Sequence, residues 1–150
     1  MPPDPIGTLL PWKHPFLMVD RVVEVVPHVR IVTRKNVTCG DAMAGGGDER
    51  GSELPGVMIV EGMSQSAALL FQMTYGAAAP DRLPLLGTLK ASWDRPARPG
   101  DLLTYEVEAI RMTSRMGIFR GVAHVDGAPI ARADLAFSVS DPDVSREEPK

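Results

Sequence analysis

The stretch Pro55–Tyr75, PGVMIVEGMSQSAALLFQMTY, decides the fold of this chain. It is apolar over most of its length, Pro55-Gly56 punctuates its start, and Gly76 follows as a candidate C-cap. Glu61 and several neutral polar residues interrupt the run, and a bilayer span would carry fewer polar groups. Because such a helix is apolar on nearly every face, we expect other structure of a soluble domain to wrap it.

Strand-like segments flank this helix on both sides. Before it, Leu17–Val26 and His28–Thr38 are rich in β-branched residues and predict an antiparallel hairpin. After it, alternation and turn signals such as Asp126-Gly127 predict further strands. These later segments are Leu85–Trp93, Leu102–Met112, Gly117–Val125 and Ala131–Val139. The order predicts an α+β fold, an antiparallel sheet wrapped around one long central helix.

Length and composition indicate one globular protein. The chain has 150 residues, of which 44% are hydrophobic and 23% charged, an ordinary globular balance. A net charge of −3 argues against a nucleic-acid partner, whose domains are usually strongly basic. One cysteine, Cys39, excludes an internal disulfide and a multi-cysteine zinc site, so no metal is predicted. The start, MPPDPIGTLLPWKH, does not read as a signal peptide, and we expect a cytoplasmic protein that is not bound to a membrane.

The expected domain covers residues 1–140, followed by a charged flexible tail over residues 141–150. Ser140–Lys150 is rich in charge and contains prolines, which is typical of a frayed end. Cys39–Pro55 differs from its surroundings because it holds five glycines and little apolar content. We therefore predict a mobile loop before the helix.

Several short motifs occur along the chain in one order. They are Pro15–Arg21 (PFLMVDR), Lys35–Thr38 (KNVT), Leu54–Gln65 (LPGVMIVEGMSQ), Arg95–Asp101 (RPARPGD), Gly117–Phe119 (GIF) and Gly121–Gly127 (GVAHVDG). Together they resemble the 3-hydroxyacyl-acyl-carrier-protein dehydratases of fatty-acid synthesis, over roughly Leu9–Val139. The resemblance implies the hot-dog fold, paired as a dimer. It also implies an acyl chain carried on the phosphopantetheine of an acyl carrier protein, with no other cofactor.

The resemblance also assigns candidate catalytic positions. That family dehydrates with a histidine on the loop before the helix and an acid on the helix, and the acid matches Glu61. The family histidine lies 14 residues before the acid, and Gly47 stands at that position here. A second family histidine falls on Gly51. The chain thus retains the acid and lacks the histidine.

Dehydration of a 3-hydroxyacyl thioester needs a base for the α-proton and an acid for the leaving hydroxyl. Desolvation can hold Glu61 protonated, so that it acts as the acid. At the helix N-terminus, Gly56 and Val57 offer N–H groups and the positive end of the dipole to the thioester oxygen. Gln65 follows one turn after Glu61, where it can orient the carboxyl. Loss of a positioned base costs about 10²–10⁴-fold, so we expect little dehydration by this chain alone.

The remaining candidate residues carry weaker signals. Asp48 and Glu49 lie beside Gly47 and are interpreted as solvated charges, with one of them as the alternative base. Surface or packing roles are expected for the three histidines, and a loop or buried thiol is expected for the cysteine. These residues are His14, His28, His124 and Cys39.

Three functions therefore stay open. The first is a dehydratase subunit of fatty-acid or polyketide-type biosynthesis, which pairs with a histidine-bearing homologue. This follows from the family's site, where the histidine and the acid come from opposite protomers. The second is a non-catalytic subunit that binds acyl thioesters or serves as a scaffold. The third is a thioesterase in which Glu61 alone activates water or attacks the substrate.

Arginines concentrate in the second half of this acidic chain. They are Arg95, Arg98, Arg111, Arg115 and Arg120. Such residues can steer the docking of an acidic carrier protein. A solvated strand face explains each of them equally well.

Overall fold

The computed structural model describes residues 5–41, 53–76 and 84–139. Within those ranges the chain forms two helices and six strands. In chain order they are α1 (Pro5–Leu9), β1 (Arg21–Val26), β2 (Arg30–Asn36), α2 (Gly56–Tyr75), β3 (Pro84–Trp93), β4 (Leu102–Thr113), β5 (Met116–Val125) and β6 (Ala128–Val139).

The strands form one antiparallel sheet in the order β1-β2-β4-β5-β6-β3. The long helix α2 packs on one face of this sheet and contacts β2, β4, β5, β6 and β3. Its fully buried side chains, which include Ile59, Met63 and Leu69, meet those that the sheet presents, such as Leu103 and Leu135. This arrangement confirms the predicted hot-dog fold, and α2 has the predicted limits.

Two glycines let α2 approach the sheet closely. A Cβ on Gly62 would lie 2.3 Å from the hydroxyl oxygen of Tyr105, and a Cβ on Gly121 would lie 2.9 Å from the sulfur of Met63. Side chains at these positions would push the helix away from β4 and β5. The small residues therefore fix how deeply α2 is seated.

The first hairpin differs in detail from its prediction. Strand β1 begins at Arg21 and not at Leu17, because the chain before it is tied to the helix: the Met18 N–H donates to Gln65 Oε1 over 2.8 Å. His28 does not start a strand but lies in the turn with φ 66°, and its N–H donates to Thr74 Oγ1 over 3.1 Å. Helix contacts thus shorten both strands.

The turn predicted at Asp126-Gly127 has the expected geometry. Asp126 and Gly127 both have positive φ, 52° and 77°, as a two-residue hairpin turn with the twist of its strands requires. Strand β6 starts at Ala128, directly after this turn, and is longer than the predicted Ala131–Val139. The hairpin sets the register of β5 and β6, the strands beside the edge strand β3.

One stripe of the helix side of the sheet stays uncovered. Leu86, Leu89 and Trp93 of edge strand β3 lie opposite inward-facing residues of β6, yet they are 46%, 46% and 50% exposed. Val57 at the start of α2 is 58% exposed. We call these four residues the uncovered stripe. The sheet thus covers most of α2, as expected, and among the described residues no further element covers this stripe.

Two predicted segments lie outside the described residues. The central part of the glycine-rich loop, residues 42–52, includes Gly47, Gly51, Asp48 and Glu49. The predicted tail over residues 141–150 also lies there. In the part of the chain that is described, no helix is long and apolar enough to cross a membrane.

Candidate functional site

Glu61 opens into an apolar cavity of about 200 Å³ beside the uncovered stripe. The cavity lies between α2, the end of β6, the start of β3 and the loop before β1. Ser64 and Ala68, which follow Glu61 on α2 by three and seven residues, line the helix side of the cavity. The full lining is Trp12, Phe16, Glu61, Ser64, Ala68, Pro84, Leu85, Leu86 and Phe137.

Gln65 holds the carboxyl of Glu61 in place. Its side chain is fully buried, and its Oε1 accepts the Met18 N–H over 2.8 Å. Its Nε2 donates to the Phe16 carbonyl over 3.0 Å and to Glu61 Oε1 over 3.1 Å. Because two backbone groups fix the amide, its N–H faces Glu61. The predicted contact between the two side chains is therefore present.

The surroundings of Glu61 favour its protonated form. Burial raises the pKa of this carboxyl above its usual range, and the hydrogen bond from Gln65 opposes that rise only in part. A carboxyl whose pKa is raised by burial keeps its proton to a higher pH than a solvated glutamate does, so it can act as a proton donor. The geometry thus suits Glu61 for work as a general acid.

The first turn of α2 leaves its backbone donors free of intrahelical bonds. Met58 donates the first bond, to the Pro55 carbonyl over 2.9 Å, and Pro55 provides no side-chain cap. The N–H groups of Gly56 and Val57 precede that bond. They lie about 6–8 Å along the axis before Glu61 at 1.5 Å per residue. An oxygen that gains negative charge at this end of the helix meets both donors and the helix dipole.

Trp93 covers the side of this first turn. A Cβ on Gly56 would lie 2.3–2.4 Å from three indole atoms, so only glycine lets the ring rest on the helix start. The Leu54–Ala97 bridge, with bonds of 2.8 and 3.2 Å, joins the same turn to the segment after β3. Both contacts fix the helix N-terminus relative to β3.

None of the histidines among the described residues forms a hydrogen bond or ion pair with Glu61. His28 packs against Tyr75 at the other end of α2, about 20 Å along the axis. His124 pairs with Thr104 on the outer face of the sheet, and His14 is exposed on the loop before β1. Among the described residues, Gln65 is the one that forms a hydrogen bond with the Glu61 side chain. Cys39 is exposed, as a loop thiol would be.

A larger cavity, about 400 Å³, lies on the outer face of the sheet. Its charged lining is formed by Lys90, Arg120, Arg132 and Asp134, and Arg120 contacts Asp134 over 3.0 Å. No residue of α2 reaches it, so it holds neither the carboxyl nor the helix N-terminus. Of the two cavities, the smaller one is the one that Glu61 lines.

Sequence reasoning missed the walls of the Glu61 cavity and a buried ion pair. Lys35 Nζ lies 3.1 Å from Asp41 Oδ1, and these side chains are 3% and 5% exposed. Lysine in a strand between inward-facing residues was a signal for a buried cation, since alternation puts Lys35 on the same face as Thr33. No comparable signal marked Trp12 or Phe137, because the tertiary structure alone brings them to Glu61.

Comparison with known proteins places the chain in a family. The model of a FabA-like domain matches residues 10–134. A 3-hydroxyacyl-[acyl-carrier-protein] dehydratase, FabZ, from Myxococcus xanthus is 35% identical over 144 residues, covering 95% of this chain and 94% of that protein. FabZ of Enterococcus faecalis is also 35% identical, over 138 residues that cover 89% and 94% of the two chains.

Solved structures share the fold at low sequence identity. The dehydratase heterocomplex ApeI:P from Xenorhabdus doucetiae matches with a TM-score of 0.75 and 17% identity, covering 93% of each chain. The smu.793 protein of Streptococcus mutans, bound to acetyl CoA, matches with a TM-score of 0.66 and 13% identity, covering 87% of this chain and 95% of that one. The domain match and the sequence relatives show that the chain belongs to the FabA-like family, together with proteins named FabZ.

Proposed function

We propose that this chain is the acid-bearing subunit of a 3-hydroxyacyl-acyl-carrier-protein dehydratase whose histidine comes from a partner subunit. One observation carries the proposal. Glu61 lies half-buried in an apolar cavity, hydrogen-bonded to Gln65 and with a raised pKa, and no described histidine forms a hydrogen bond or ion pair with it. The site has the environment of a general acid and needs a base from elsewhere.

The proposed reaction is a dehydration without a resident cofactor. The partner's histidine removes the α-proton of the 3-hydroxyacyl thioester, and negative charge develops on the thioester oxygen. The N–H groups of Gly56 and Val57 stabilise that charge. Glu61 then gives its proton to the 3-hydroxyl, the C–O bond breaks, and water and a 2-enoyl thioester are released. The proton held by histidine returns to Glu61 through solvent, which completes the cycle.

The uncovered stripe supports a partner subunit. Three large apolar residues of edge strand β3 lie on the helix side of the sheet and are exposed to solvent. Val57 at the start of α2 extends this apolar surface. A strand edge with apolar neighbours is typical of a surface that pairs with another chain. Since the stripe adjoins the Glu61 cavity, a second hot-dog subunit there brings its own loop to the site. The ApeI:P neighbour, a dehydratase heterocomplex, supports the pairing of unlike subunits.

Gly47 supports a histidine from the partner and not from this chain. By the resemblance it occupies the position of the family histidine. A homodimer would then hold two acids and no family histidine. A heterodimer with a histidine-bearing homologue would hold one complete site, with Glu61 facing that histidine.

An acyl carrier protein is the proposed donor of the substrate. The FabZ relatives are named for acyl-carrier-protein substrates. Arg98 lies beside the helix N-terminus, since its neighbour Ala97 bridges Leu54. Its guanidinium lies 3.5 Å from Glu53, and its side chain is 57% exposed. A cation beside the helix N-terminus can attract an acidic carrier protein, and salt weakens this attraction.

Complementation between two defective subunits tests the proposal. This chain is mixed with a histidine-bearing homologue whose own helix acid has been changed to glutamine, and formation of the 2-enoyl thioester is measured. Neither protein alone should dehydrate, whereas the mixture should, because it combines Glu61 with the partner's histidine. Glu61→Gln in this chain should abolish the restored activity.

Glu106→Gln is the matched control, since Glu106 is exposed on β4 away from the cavity. It should leave the restored activity unchanged. A mixture without activity, although the two chains associate, would refute the shared site. It would leave this chain as an acyl-thioester binder, for which the apolar cavity also provides a surface. Hydrolysis of the thioester by this chain alone would identify a thioesterase.

A further inference from the structure

The cavity on the outer face of the sheet follows from the register of three strands. Strands β3, β6 and β5 lie side by side there, and three successive cross-strand rows line the cavity. The rows are Lys90–Asp134–Arg120, Ala91–Ala133–Gly121 and Ser92–Arg132–Val122. We call this space of about 400 Å³ the outer cavity.

The middle row forms the floor of the outer cavity. Ala133 is 3% exposed, Ala91 packs against the core, and a Cβ on Gly121 would come within 2.9 Å of the Met63 sulfur on α2. Because side chains alternate along a strand, the middle row faces the helix and the rows on either side face outward. The backbone of the middle row is therefore open between two walls of side chains.

The two walls give the outer cavity an excess of positive charge. Three cations, Lys90, Arg120 and Arg132, line it together with one carboxylate, Asp134. The carboxylate is engaged, since Asp134 Oδ1 accepts from Arg120 Nε over 3.0 Å. Within the part of the chain that the structure describes, neither Lys90 nor Arg132 forms an ion pair. The cavity thus carries two more positive charges than negative ones, in a chain whose net charge is −3.

The acids of the next strand do not compensate this charge at the outer cavity. Glu106 and Glu108 of β4 also face outward, but neither lines the cavity. Their charges act on the other side, because the pKa of Arg30 on β2 is raised by its hydrogen bond to Glu24 and further by both of these acids. Cations near β2 are therefore balanced within the chain, and those of the outer cavity are available to a ligand.

We propose that the outer cavity binds the phosphate group of a small molecule. A phosphate ester carries nearly two negative charges at neutral pH, which matches the excess charge of the cavity. The guanidinium of Arg132 can donate two parallel N–H bonds to phosphate oxygens, and Lys90 and Ser92 add an ammonium and a hydroxyl donor. The volume lies within the roughly 300–1,000 Å³ of sites that bind small molecules.

Titration of phosphate compounds into the full chain at constant ionic strength tests this proposal. The probes are inorganic phosphate and glycerol 3-phosphate, with acetate and chloride as controls for charge alone, and calorimetry measures the affinity. A phosphate probe should bind saturably and shift the backbone N–H resonances of Ala91, Gly121 and Ala133, which form the floor. Tighter binding of the ester would identify a phosphorylated compound as the ligand, and equal affinities would identify free phosphate.

Substitutions on the walls should change the affinity in opposite directions. Arg132→Gln should weaken phosphate binding about 10- to 100-fold, because it removes charge-assisted hydrogen bonds. Lys90→Gln should weaken it less, and Asp134→Asn should tighten it by removing a like charge. Arg34→Gln is the matched control, since Arg34 is exposed on β2 and does not line the cavity. It should leave the affinity unchanged at the same ionic strength.

The proposal is open to refutation at each step. Absence of saturable binding, or equal affinities in Arg132→Gln and Arg34→Gln, would overturn it, as would acetate binding as tightly as phosphate. Arg132 and Lys90 are exposed, so both variants should fold, which thermal unfolding checks. Since Glu61 lines the other cavity and no acyl substrate is present, failure here would leave the proposed dehydratase site intact.

Discussion

Asp41 and Glu61 are two carboxyls in opposite surroundings. Asp41 lies before the glycine-rich loop, with its oxygens bonded to Lys35 Nζ and to the N–H and hydroxyl of Thr38. Burial by itself raises the pKa of Asp41, but these partners outweigh it and hold the pKa below its usual value. Among the described residues, Glu61 has one donor, Gln65, and burial keeps its pKa raised.

The contrast separates an acid that maintains structure from one that is available for chemistry. Asp41 is stabilised as a carboxylate, and giving it a proton would weaken its bond to Lys35. Glu61 is destabilised as a carboxylate and keeps its proton more readily. A carboxyl that can deliver a proton is one whose charged form the fold has not satisfied.

The largest expected effect is on activity. In the complemented complex, Glu61→Gln should lower kcat by about 10²–10⁴-fold, because the amide cannot protonate the leaving hydroxyl. Asp41→Asn should leave kcat within a few-fold in the folded protein, since Asp41 contacts the structural pair and not the cavity. Steady-state rates at saturating substrate check both. Equal losses would break the distinction between the two acids.

Loss of the buried cation should cost the most stability. Lys35→Met leaves Asp41 without its ion partner, and breaking a buried pair costs about 3–5 kcal/mol. Urea unfolding measures this change in the free energy of unfolding. Adding Asp41→Leu to Lys35→Met should recover part of the loss, since no unpaired charge then stays buried. A single-variant loss below about 1 kcal/mol would mean that solvent screens the pair.

Removal of Gln65 should affect both stability and the acid. Gln65→Leu leaves the buried Met18 N–H without its acceptor and should cost about 1–3 kcal/mol. Since the hydrogen bond from Gln65 lowers the pKa of Glu61, its loss should raise that pKa further. The alkaline limb of the pH–rate profile should therefore move to higher pH. A merely structural Gln65 would lower stability and leave that limb in place.

The smallest expected effect is on the pH dependence of stability, to which Asp41 and Glu61 should contribute with opposite signs. The pKa of Asp41 falls on folding, so its stabilisation is present above its usual value of 3.8 and is lost as the pH falls through the lower folded value. The pKa of Glu61 rises on folding. Its charge therefore destabilises the fold above the raised value and has no effect well below its usual 4.5.

Melting temperatures from acid to neutral pH check these signs. Asp41→Asn should melt below the unmodified protein at neutral pH, and Glu61→Gln should melt slightly above it. Both differences should shrink toward strongly acidic pH. A Glu61→Gln variant that is less stable at neutral pH would show that the fold satisfies the carboxylate after all.

Much of the fold could be predicted because it depends on local pattern. The limits of α2 follow from Pro55-Gly56 at one end and Gly76 at the other, and the β5–β6 turn follows from Asp126-Gly127. The start of β1 could not be predicted in this way. Leu17–Asp20 reads as strand, but the hydrogen bond from Met18 to Gln65 binds this segment to the helix, 47 residues away.

The sequence predicted the acid of the candidate site but not the residues that line the cavity around it. Glu61 and Gln65 are one helical turn apart, so their contact follows from the sequence spacing. Trp12 and Phe137 are far apart in the chain and line one cavity only because the sheet folds around α2. That Gly47 stands at the position of the family histidine stays a prediction from the resemblance, since Gly47 lies outside the described residues.

The sequence by itself determined the long apolar helix, the succession of helix and strands along the chain, and the acid on the helix, because these depend on residue type and on spacings of a few residues. Only the tertiary structure decided that Glu61 is half-buried with a raised pKa, that Asp41 is paired with Lys35, and that Phe137 lines the cavity. Desolvation, ion pairing and cavity shape depend on contacts between residues that are distant in the sequence, and local periodicity does not predict those contacts.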